Sequence, residues 1–238
     1  MTTVAIIPAR GGSKRIPRKN IKSFLGRPMI SYPIRVLKET GLFDRIIVST
    51  DDQEIADVAL EWGAEVPFMR PSDLADDYTG TTDVVKHAVQ WLVDYGERPD
   101  YVCCAYATSP FLSSIYVQKG WEALGSGKRL VIAMTSFAYP IQRAFRLLDG
   151  GGVEPFYPAF IPYRSQDLEP AYHDAGQFYW WDIEALLQDV PGFSQYVEPI
   201  LLPRHLVQDI DDEEDWLRAE LMYRAMQMQD HSCEIGSE

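Results

Sequence analysis

The stretch Val4-Ala-Ile-Ile-Pro-Ala-Arg10-Gly-Gly-Ser-Lys14-Arg-Ile-Pro-Arg-Lys19-Asn20 opens the chain and decides how the rest of it is interpreted. Its apolar beginning, Val4 to Ile7, predicts a buried β-strand. In the loop that follows, Gly11 and Gly12 let the backbone turn tightly and bring its N–H groups close to a ligand. The loop also carries cations and a hydroxyl, at Arg10, Ser13, Lys14, Arg15, Arg18 and Lys19. A strand that runs into a glycine-rich, basic loop indicates a site for phosphate groups.

The loop matches neither of two common phosphate-binding motifs. The motif G-x-x-x-x-G-K-[ST] needs a longer spacing than Gly11-Gly-Ser-Lys14 has, and the pattern G-x-G-x-x-G does not occur in the loop. On the loop alone, a flexible and solvated basic turn is therefore an open alternative.

The distribution of charge favours the phosphate site. Residues 1–38 contain nine Lys or Arg and no Asp or Glu, whereas the whole chain has 22 basic and 35 acidic residues and a net charge of −13. One wholly basic end on an acidic protein indicates a local site for an anionic small molecule. The overall negative charge argues against nonspecific binding to nucleic acid.

Length and composition fit a single globular domain, which we place over residues 1–238. No run approaches the ~18 apolar residues of a membrane span, and the N-terminus lacks the pattern of a signal peptide. We therefore expect a cytoplasmic protein with no membrane partner. The three cysteines have no spacing that suits a disulfide framework or a structural zinc site.

Apolar runs alternate with amphipathic segments along the first 135 residues. The pattern predicts strands at Asp44–Thr50, Tyr101–Tyr106 and Leu130–Thr135. It also predicts helices at Pro28–Thr40, despite Pro33, and from a capping Asp51 through Trp62. This order of elements favours an α/β fold with a mostly parallel sheet and right-handed crossovers.

Residues 136–174 differ in character from the segments before them. Prolines recur there at positions 140, 155, 158, 162 and 170, and seven Phe or Tyr side chains lie between Phe137 and Tyr163. The segment reads as an insertion that packs against another subunit. A long ordered loop folded on its own domain is the alternative.

Gln208-Asp-Ile-Asp-Asp-Glu-Glu-Asp215 is the second stretch that suggests chemistry. We expect a strand at Leu206–Ile210 and a helix over residues 212–228. At the end of a strand, Asp209 and Asp211 would point to the same face. Two adjacent carboxylates repel unless a cation lies between them, and Mg²⁺ takes one or two carboxylates together with substrate phosphates. A solvated acidic loop is the alternative, which the phosphate loop in the same chain disfavours.

Several of these stretches together resemble the CMP-sialic acid synthetases, a family of sugar-acid cytidylyltransferases. The matching stretches are Ala5–Asn20, Phe43–Asp51, Arg70–Pro71, Ala107–Pro110 and Asp209–Asp211. The Gly-Gly-Ser-Lys loop and the stretch His173–Trp180 are most similar to members that use pseudaminic acid. The resemblance implies a three-layer, Rossmann-like nucleotidyltransferase fold, with residues 136–174 as a dimerisation insertion and a homodimer as the assembly.

The resemblance also implies a reaction, in which CTP and a nine-carbon 2-keto sugar acid give a CMP-sugar and pyrophosphate. The residues implied for the nucleotide are Arg10, Gly11, Gly12, Ser13, Lys14, Lys19, Asn20, Arg70, Thr81 and Thr82. Asp209 and Asp211 are the implied ligands of Mg²⁺. Arg10, Lys19 and Asp211 are the implied catalytic residues. Whether Asp211 or the metal activates the attacking hydroxyl stays open at this point.

The residues implied for the sugar are Tyr106, Thr108, Ser109, Arg164, Gln177 and Tyr179. Tyr106 departs from the pattern, because many sialic acid synthetases have Gln there, and this difference argues against ordinary sialic acid. CMP-N-acetylneuraminate or CMP-legionaminate synthesis is the alternative activity. A glycosyltransferase and a catalytically silent nucleotide-binding subunit are two further alternatives from other classes.

Overall fold

The structure is a computed structural model that describes residues 1–188 and 196–235. Elements are numbered in chain order. The strands are β1 (Thr3–Pro8), β2 (Ser23–Phe24), β3 (Arg27–Pro28), β4 (Arg45–Ser49), β5 (Tyr101–Ala105), β6 (Leu130–Ser136), β7 (Phe145–Leu147), β8 (Val153–Pro155), β9 (Tyr172–Asp182) and β10 (Val197–Leu201). The helices are α1 (Ser31–Thr40), α2 (Gln53–Glu61), α3 (Thr81–Asp94), α4 (Ser114–Gly125), α5 (Ile183–Leu187) and α6 (Glu213–Ile235).

A six-stranded sheet forms the centre of the protein, in the order β10-β6-β9-β5-β1-β4. Strand β1 pairs in parallel with β4 and β5, and β10 pairs in parallel with β6. The long strand β9 runs antiparallel between β5 and β6. The prediction of a mostly parallel sheet is confirmed, and β9 is its antiparallel exception.

Alternate residues of β1 pack into two separate cores. Ala5 and Ile7 belong to one core, which also contains side chains of α1, α2 and α4. Val4 and Ile6 join α3 and α5 in the core on the other face. Burial of one such Ile side chain stabilises the fold by about 1.5–3 kcal/mol. Helices therefore cover both faces of the sheet, and the predicted three-layer α/β fold is confirmed.

Two predicted helix starts need correction. Helix α1 begins at Ser31, and Pro28 belongs to the short strand β3. Pro33 is tolerated because the first N–H groups of a helix have no partner within it. The cap of α2 is Asp52, whose side chain accepts a hydrogen bond from the Ile55 N–H. Asp51, the predicted cap, contacts the glycine loop instead.

The predicted strand at Leu206–Ile210 is wrong. Arg204–Leu206 is a short 3₁₀ turn, and residues 207–210 are irregular. Side chains hold this segment in place of strand pairing. The Gln177 amide donates to the Leu206 carbonyl, and Ile210 is fully buried in a third core with Ile16 and Trp216. The last helix is longer than predicted, since it ends at Ile235.

The segment between β6 and β9 is mostly exposed. Strands β6 and β9 include both ends of the predicted insertion, so residues 137–171 lie outside the sheet. They form the hairpin β7–β8 and several 3₁₀ turns. Separately, none of the helices in the described part of the chain is long and apolar enough to cross a membrane.

Candidate active site

The strands β1 and β5 end at the same edge of the sheet, and the loops that follow them line a cleft of about 300 Å³ together with residues between 70 and 84 and Asp211. Ligands of open α/β folds bind at such an edge. We call this the first cleft. Of the residues predicted for the site, those that line the first cleft are Arg10, Ser13, Lys14, Lys19, Asn20, Arg70, Thr81, Tyr106, Thr108 and Asp211. The structure thus brings together side chains that are as many as 201 positions apart in the sequence, from Arg10 to Asp211.

The glycine loop is held by Asp51 and Asp52, which lie between β4 and α2. The Gly11 N–H donates to Asp51 Oδ1 at 2.9 Å. A Cβ atom at Gly11 would lie 2.8 Å from Asp52 Oδ2, so this position has no room for a side chain. Asp52 also accepts two hydrogen bonds from the Arg18 guanidinium, at 2.5 and 2.8 Å. This pair lowers the pKa of Asp52 to about 2.

The two predicted halves of the site meet at Lys19. Its Nζ donates to the Ile210 carbonyl at 2.6 Å and lies 3.5 Å from Asp211 Oδ1. The Arg15 guanidinium is 2.9 Å from the same carboxylate oxygen. Ile210 and Ile16, which are adjacent in sequence to Asp211 and Arg15, both belong to the third core. The basic loop, residues 10–20, and the late acidic segment, residues 204–215, are therefore connected both by ion pairs and by apolar packing.

Asp209 and Asp211 lie close enough to influence each other. Burial raises the pKa of Asp209, the negative charge of Asp211 raises it further, and Lys19 acts in the opposite direction. A divalent cation between the two carboxylates would relieve this repulsion, so the pair suits Mg²⁺. In residues 1–188 and 196–235 no cluster of three or more His, Cys, Asp or Glu side chains could hold a metal. The remaining ligands would have to come from phosphate or water.

Asp76 and Asp77 lie against the loop cations, and sequence reasoning missed them. Arg10 Nη1 is 3.0 Å from Asp77 Oδ1, and Lys14 pairs with the other oxygen of this carboxylate. Arg10 also donates to the Asp76 carbonyl. The hydrogen bond from Lys14 is the main cause of the lowered pKa of Asp77. The only signal in the sequence was the abundance of Asp between Pro71 and Thr82, which does not single out a residue.

Three polar side chains that line the first cleft, Arg70, Thr81 and Tyr106, have hydrogen-bond partners within the protein. Arg70 is 6% exposed, and its guanidinium donates to the hydroxyl and carbonyl of Ser49. Burial lowers the pKa of Arg70. The hydroxyls of Thr81 and Tyr106 are 3.2 Å apart, and burial raises the pKa of Tyr106. Arg70 supports the wall of the cleft, while Thr81 and Tyr106 present hydroxyls to it.

Other predicted residues lie outside the first cleft. Thr82 is exposed on α3, and Ser109 is buried with no partner for its hydroxyl. The Tyr179 hydroxyl donates to Asp174 at 2.6 Å, and Gln177 supports the Leu206 carbonyl. Arg164 lies in the exposed segment and pairs with Asp167 at 2.7 and 3.0 Å. Gly11 and Gly12 shape the loop without lining the cleft.

A second cleft, of about 600 Å³, lies on the other side of Asp211. Asp211 lines both clefts, whereas Asp209 lines only the second. The walls of the second cleft come from the ends of β6 and β9, the segment 204–209 and the start of α6. The carboxylates of the late acidic segment therefore separate two adjoining spaces, each large enough for part of a ligand.

Residues 4–143 match the sequence model of the cytidylyltransferase family. The chain is 44% identical over 225 residues to the pseudaminic acid cytidylyltransferase of Campylobacter jejuni, covering 94% of this chain and 97% of that protein. It is 30% identical to the CMP-N,N'-diacetyllegionaminic acid synthase of Legionella pneumophila, covering 92% and 95% of the two chains. A solved structure of CMP:2-keto-3-deoxy-manno-octonic acid synthetase complexed with CTP shares the fold, with a TM-score of 0.66 at 15% identity and coverage of 97% and 100%. The matches confirm the resemblance drawn from the motifs: the chain belongs to the cytidylyltransferase family of nucleotidyltransferase enzymes.

Proposed function

We propose that this protein transfers CMP from CTP to the anomeric hydroxyl of a nine-carbon 2-keto sugar acid, with pseudaminic acid as the favoured acceptor. The hydroxyl oxygen forms a bond to the α-phosphorus, and the bond from phosphorus to the bridging oxygen breaks and releases pyrophosphate. The observation that carries the proposal is the contact of Lys19 with Ile210 and Asp211, since it joins a phosphate loop to a carboxylate pair. Relatives named for pseudaminic and legionaminic acid support this class of acceptor.

The loop side chains are assigned to the triphosphate. Arg10, Lys14 and Lys19 bring three positive charges to one wall of the first cleft, where Ser13 adds a hydroxyl donor. Charge that builds up on the α-phosphate and on the leaving pyrophosphate is stabilised by these preorganised donors. Lys19 is held in place before the substrate arrives by the Ile210 carbonyl. Arg10 and Lys14 must first leave Asp77.

Asp209 and Asp211 are assigned to Mg²⁺. When bound, the ion supplies positive charge to the phosphates and lowers the pKa of a hydroxyl that coordinates it. Asp211 lies at the boundary of the two clefts, so its carboxylate is placed to orient the acceptor hydroxyl or to accept its proton. Tyr106 and Thr81 present hydroxyls to the first cleft, and Tyr106 occupies a position where many sialic acid synthetases have Gln.

The test is an assay of purified protein with CTP, Mg²⁺ and single 2-keto sugar acids, in which pyrophosphate release is measured. Pseudaminic acid should give the highest kcat/KM, with legionaminic and N-acetylneuraminic acids lower. Removing Mg²⁺ with a chelator should abolish the release of pyrophosphate. CTP binding without release from any acceptor would instead indicate a catalytically silent nucleotide-binding subunit and would refute the proposed activity.

We also propose that two copies associate through residues 137–171. This segment leaves a band of apolar side chains in contact with solvent, namely Phe145, Leu147, Val153, Phe156, Tyr157 and Tyr163. Leu147 is 84% exposed, and several exposed apolar side chains on one segment are typical of a protein–protein interface. Association would bury this apolar band. It would also allow Arg164 of one copy to reach the acceptor bound by the other copy.

Light scattering after size-exclusion chromatography tests this association. The wild type should have the mass of a dimer, and the double variant Phe145→Glu/Leu147→Glu should have that of a monomer. Leu60→Glu is the matched control, because Leu60 is also exposed but lies on α2, away from this segment. A monomeric wild type would rule out the assembly.

A further inference from the structure

We infer that Asp174 makes the first cleft select cytosine over uracil, because it fixes the direction of a row of hydroxyl protons. This hydroxyl row consists of Tyr179, Tyr106 and Thr81, and Asp174 lies next to its first member. The inference rests on the proposed function, because it assigns the base of CTP to the part of the first cleft where Thr81 lies. Asp174 and Tyr179 are positioning residues, since neither lines the first cleft.

Three contacts connect the hydroxyl row to the carboxylate. The Tyr179 hydroxyl donates to Asp174 Oδ2 at 2.6 Å. The hydroxyl oxygens of Tyr179 and Tyr106 are 3.4 Å apart, and those of Tyr106 and Thr81 are 3.2 Å apart. Thr81 and Tyr106 line the first cleft, whereas Asp174 lines the second. The row therefore extends from one cleft to the other.

A bulge in β9 makes the contact between Asp174 and Tyr179 possible. Residues five positions apart on a regular strand are about 16 Å apart and point to opposite faces. In β9 the register shifts between these two residues, because Tyr179 pairs with Ile132 and Asp174 pairs with Met134. Gly176 lies in the bulge with a φ of 60°, and its N–H donates to Asp174 Oδ1 at 2.8 Å. Bulges redirect side chains, and this one directs Asp174 towards Tyr179.

The carboxylate determines the direction of every proton in the row. A carboxylate only accepts hydrogen bonds, and each hydroxyl has one proton, so Tyr179 gives its proton to Asp174. Tyr106 then donates to the oxygen of Tyr179, and Thr81 donates to the oxygen of Tyr106. Burial raises the pKa of both tyrosines, so both hydroxyls keep their protons at neutral pH. Thr81 is left with only the lone pairs of its oxygen to offer to a ligand in the first cleft.

The surroundings of Thr81 suit a nucleotide base. Val84 follows Thr81 by one turn of α3, and Ala107 follows Tyr106 after β5, so apolar side chains that line the cleft adjoin the two hydroxyls. The cations assigned to the triphosphate come from the basic loop, residues 10–20. Cytosine carries an amino group, which donates, at the position where uracil carries a carbonyl oxygen, which accepts. A Thr81 oxygen that can only accept therefore favours cytosine.

The experiment is a calorimetric titration of CTP and of UTP into the protein with Mg²⁺ and without acceptor, so that no turnover occurs. The wild type should bind CTP at least ~10-fold more tightly than UTP, since uracil would place two acceptors against each other. In Asp174→Asn the Gly176 N–H holds the amide oxygen, so the amide N–H₂ group faces Tyr179 and reverses the row. The Thr81 proton then points into the cleft. CTP should bind more weakly and UTP more tightly, and the preference should fall below about threefold.

Two further variants separate this effect from damage to the fold. Asp182→Asn is the matched control, because Asp182 is also on β9 and also has both carboxylate oxygens engaged, but lies outside both clefts. It should keep the wild-type preference. Tyr179→Phe interrupts the row between Tyr106 and Asp174 and should give an intermediate preference. Tighter binding of UTP by Asp174→Asn is a gain that a damaged fold would not produce.

A double variant tests whether Asp174 acts through Thr81. Thr81→Val removes the end of the hydroxyl row and should abolish the preference for CTP. Adding Asp174→Asn to Thr81→Val should then leave the ratio of the two affinities unchanged. If Asp174→Asn alone kept the wild-type preference, or changed it equally in the Thr81→Val background, the inference would be wrong. Equal binding of CTP and UTP by the wild type would also overturn it.

The two proposals fail in different ways. Pyrophosphate release with CTP and a sugar acid tests the proposed function alone. A preference for CTP that is lost in Asp174→Asn supports the inference even if no acceptor gives pyrophosphate. Normal turnover by the wild type, together with an unchanged preference in Asp174→Asn, would overturn the inference and leave the proposed function standing.

Discussion

The basic loop, residues 10–20, and the late acidic segment, residues 204–215, form one site but are held in different ways. The loop follows a buried strand, and its backbone is fixed by a short turn and by Asp51. The acidic segment belongs to no strand and is held by side chains, through Gln177, Ile210 and Asp215. The basic loop thus rests on the sheet itself, whereas the carboxylates opposite it depend on a few contacts with residues that are distant in the sequence.

The largest expected effect comes from breaking the contact between the two segments. Lys19→Ala and Asp211→Ala should each lower turnover by at least ~100-fold, since each removes charge that stabilises the transition state. Steady-state pyrophosphate release measures this. Lys22→Ala is the control, because Lys22 pairs with Glu213 on the same acidic segment but does not line the cleft. Near-wild-type rates for Lys19→Ala would show that the contact between Lys19 and Asp211 has no catalytic role.

The second largest effect is expected from a substitution that weakens the packing of the late acidic segment without removing a charged group. Ile210→Ala should cost about 2–4 kcal/mol of unfolding free energy, because Ile210 is fully buried. It should also lower kcat about tenfold at a temperature where the variant is folded, since small displacements of catalytic groups are costly. Ile34→Ala, in the core beside the sheet, should lose similar stability with little loss of kcat. Equal kcat losses in both variants would mean that Ile210 does not position the carboxylates.

A smaller effect is expected from the support of the basic loop. Asp52→Asn keeps the helix cap but loses the charge that pairs with Arg18. The pKa of Asp52 is lowered from 3.8 to about 2, so its contribution is fully present above pH 3.8 and is lost as the pH falls through about 2. The variant should be about 1–2 kcal/mol less stable at neutral pH, a figure reduced for the partly exposed partner.

Urea unfolding at several pH values measures this difference. The difference in unfolding free energy between the wild type and Asp52→Asn should become smaller as the pH falls from 4 to 2. Asp57→Asn is the control on the same helix, because the Asp57 carboxylate accepts a hydrogen bond from the neutral amide of Gln53. A gap that does not change with pH would mean that the pairing of Arg18 with Asp52 contributes nothing through charge.

The smallest effect concerns the second set of acids that face the loop. Asp77 holds Arg10 and Lys14, and these contacts must break before the cations reach a triphosphate. Asp77→Asn should therefore tighten CTP binding about two- to fivefold, the modest scale of exposed ion pairs. Calorimetric titration with CTP checks this, with Asp73→Asn as the control in the same loop. Weaker binding by Asp77→Asn would show that Asp77 helps to hold the nucleotide.

Hydrophobic pattern and local motifs were enough to predict the sheet and the first cleft. A buried strand, a glycine and a run of cations are adjacent in sequence, so β1 and its loop could be recognised together. The family motifs then indicated Asp209 and Asp211. The placement of these carboxylates was reasoned from strand periodicity, which does not apply to an irregular segment. The sequence also could not show that Gln177 and Arg164 lie outside the first cleft, because their positions depend on how the segments that carry them pack.

The sequence by itself therefore determined the class of fold, the family and the concentration of positive charge in the loop, because these depend on residues close together in the chain. Only the tertiary structure decided which acid each cation meets. Lys19 and Arg15 meet Asp211, while Arg10 and Lys14 meet Asp77. Charge pairing depends on distances of a few ångströms between side chains, and packing sets those distances between segments that are far apart in the sequence.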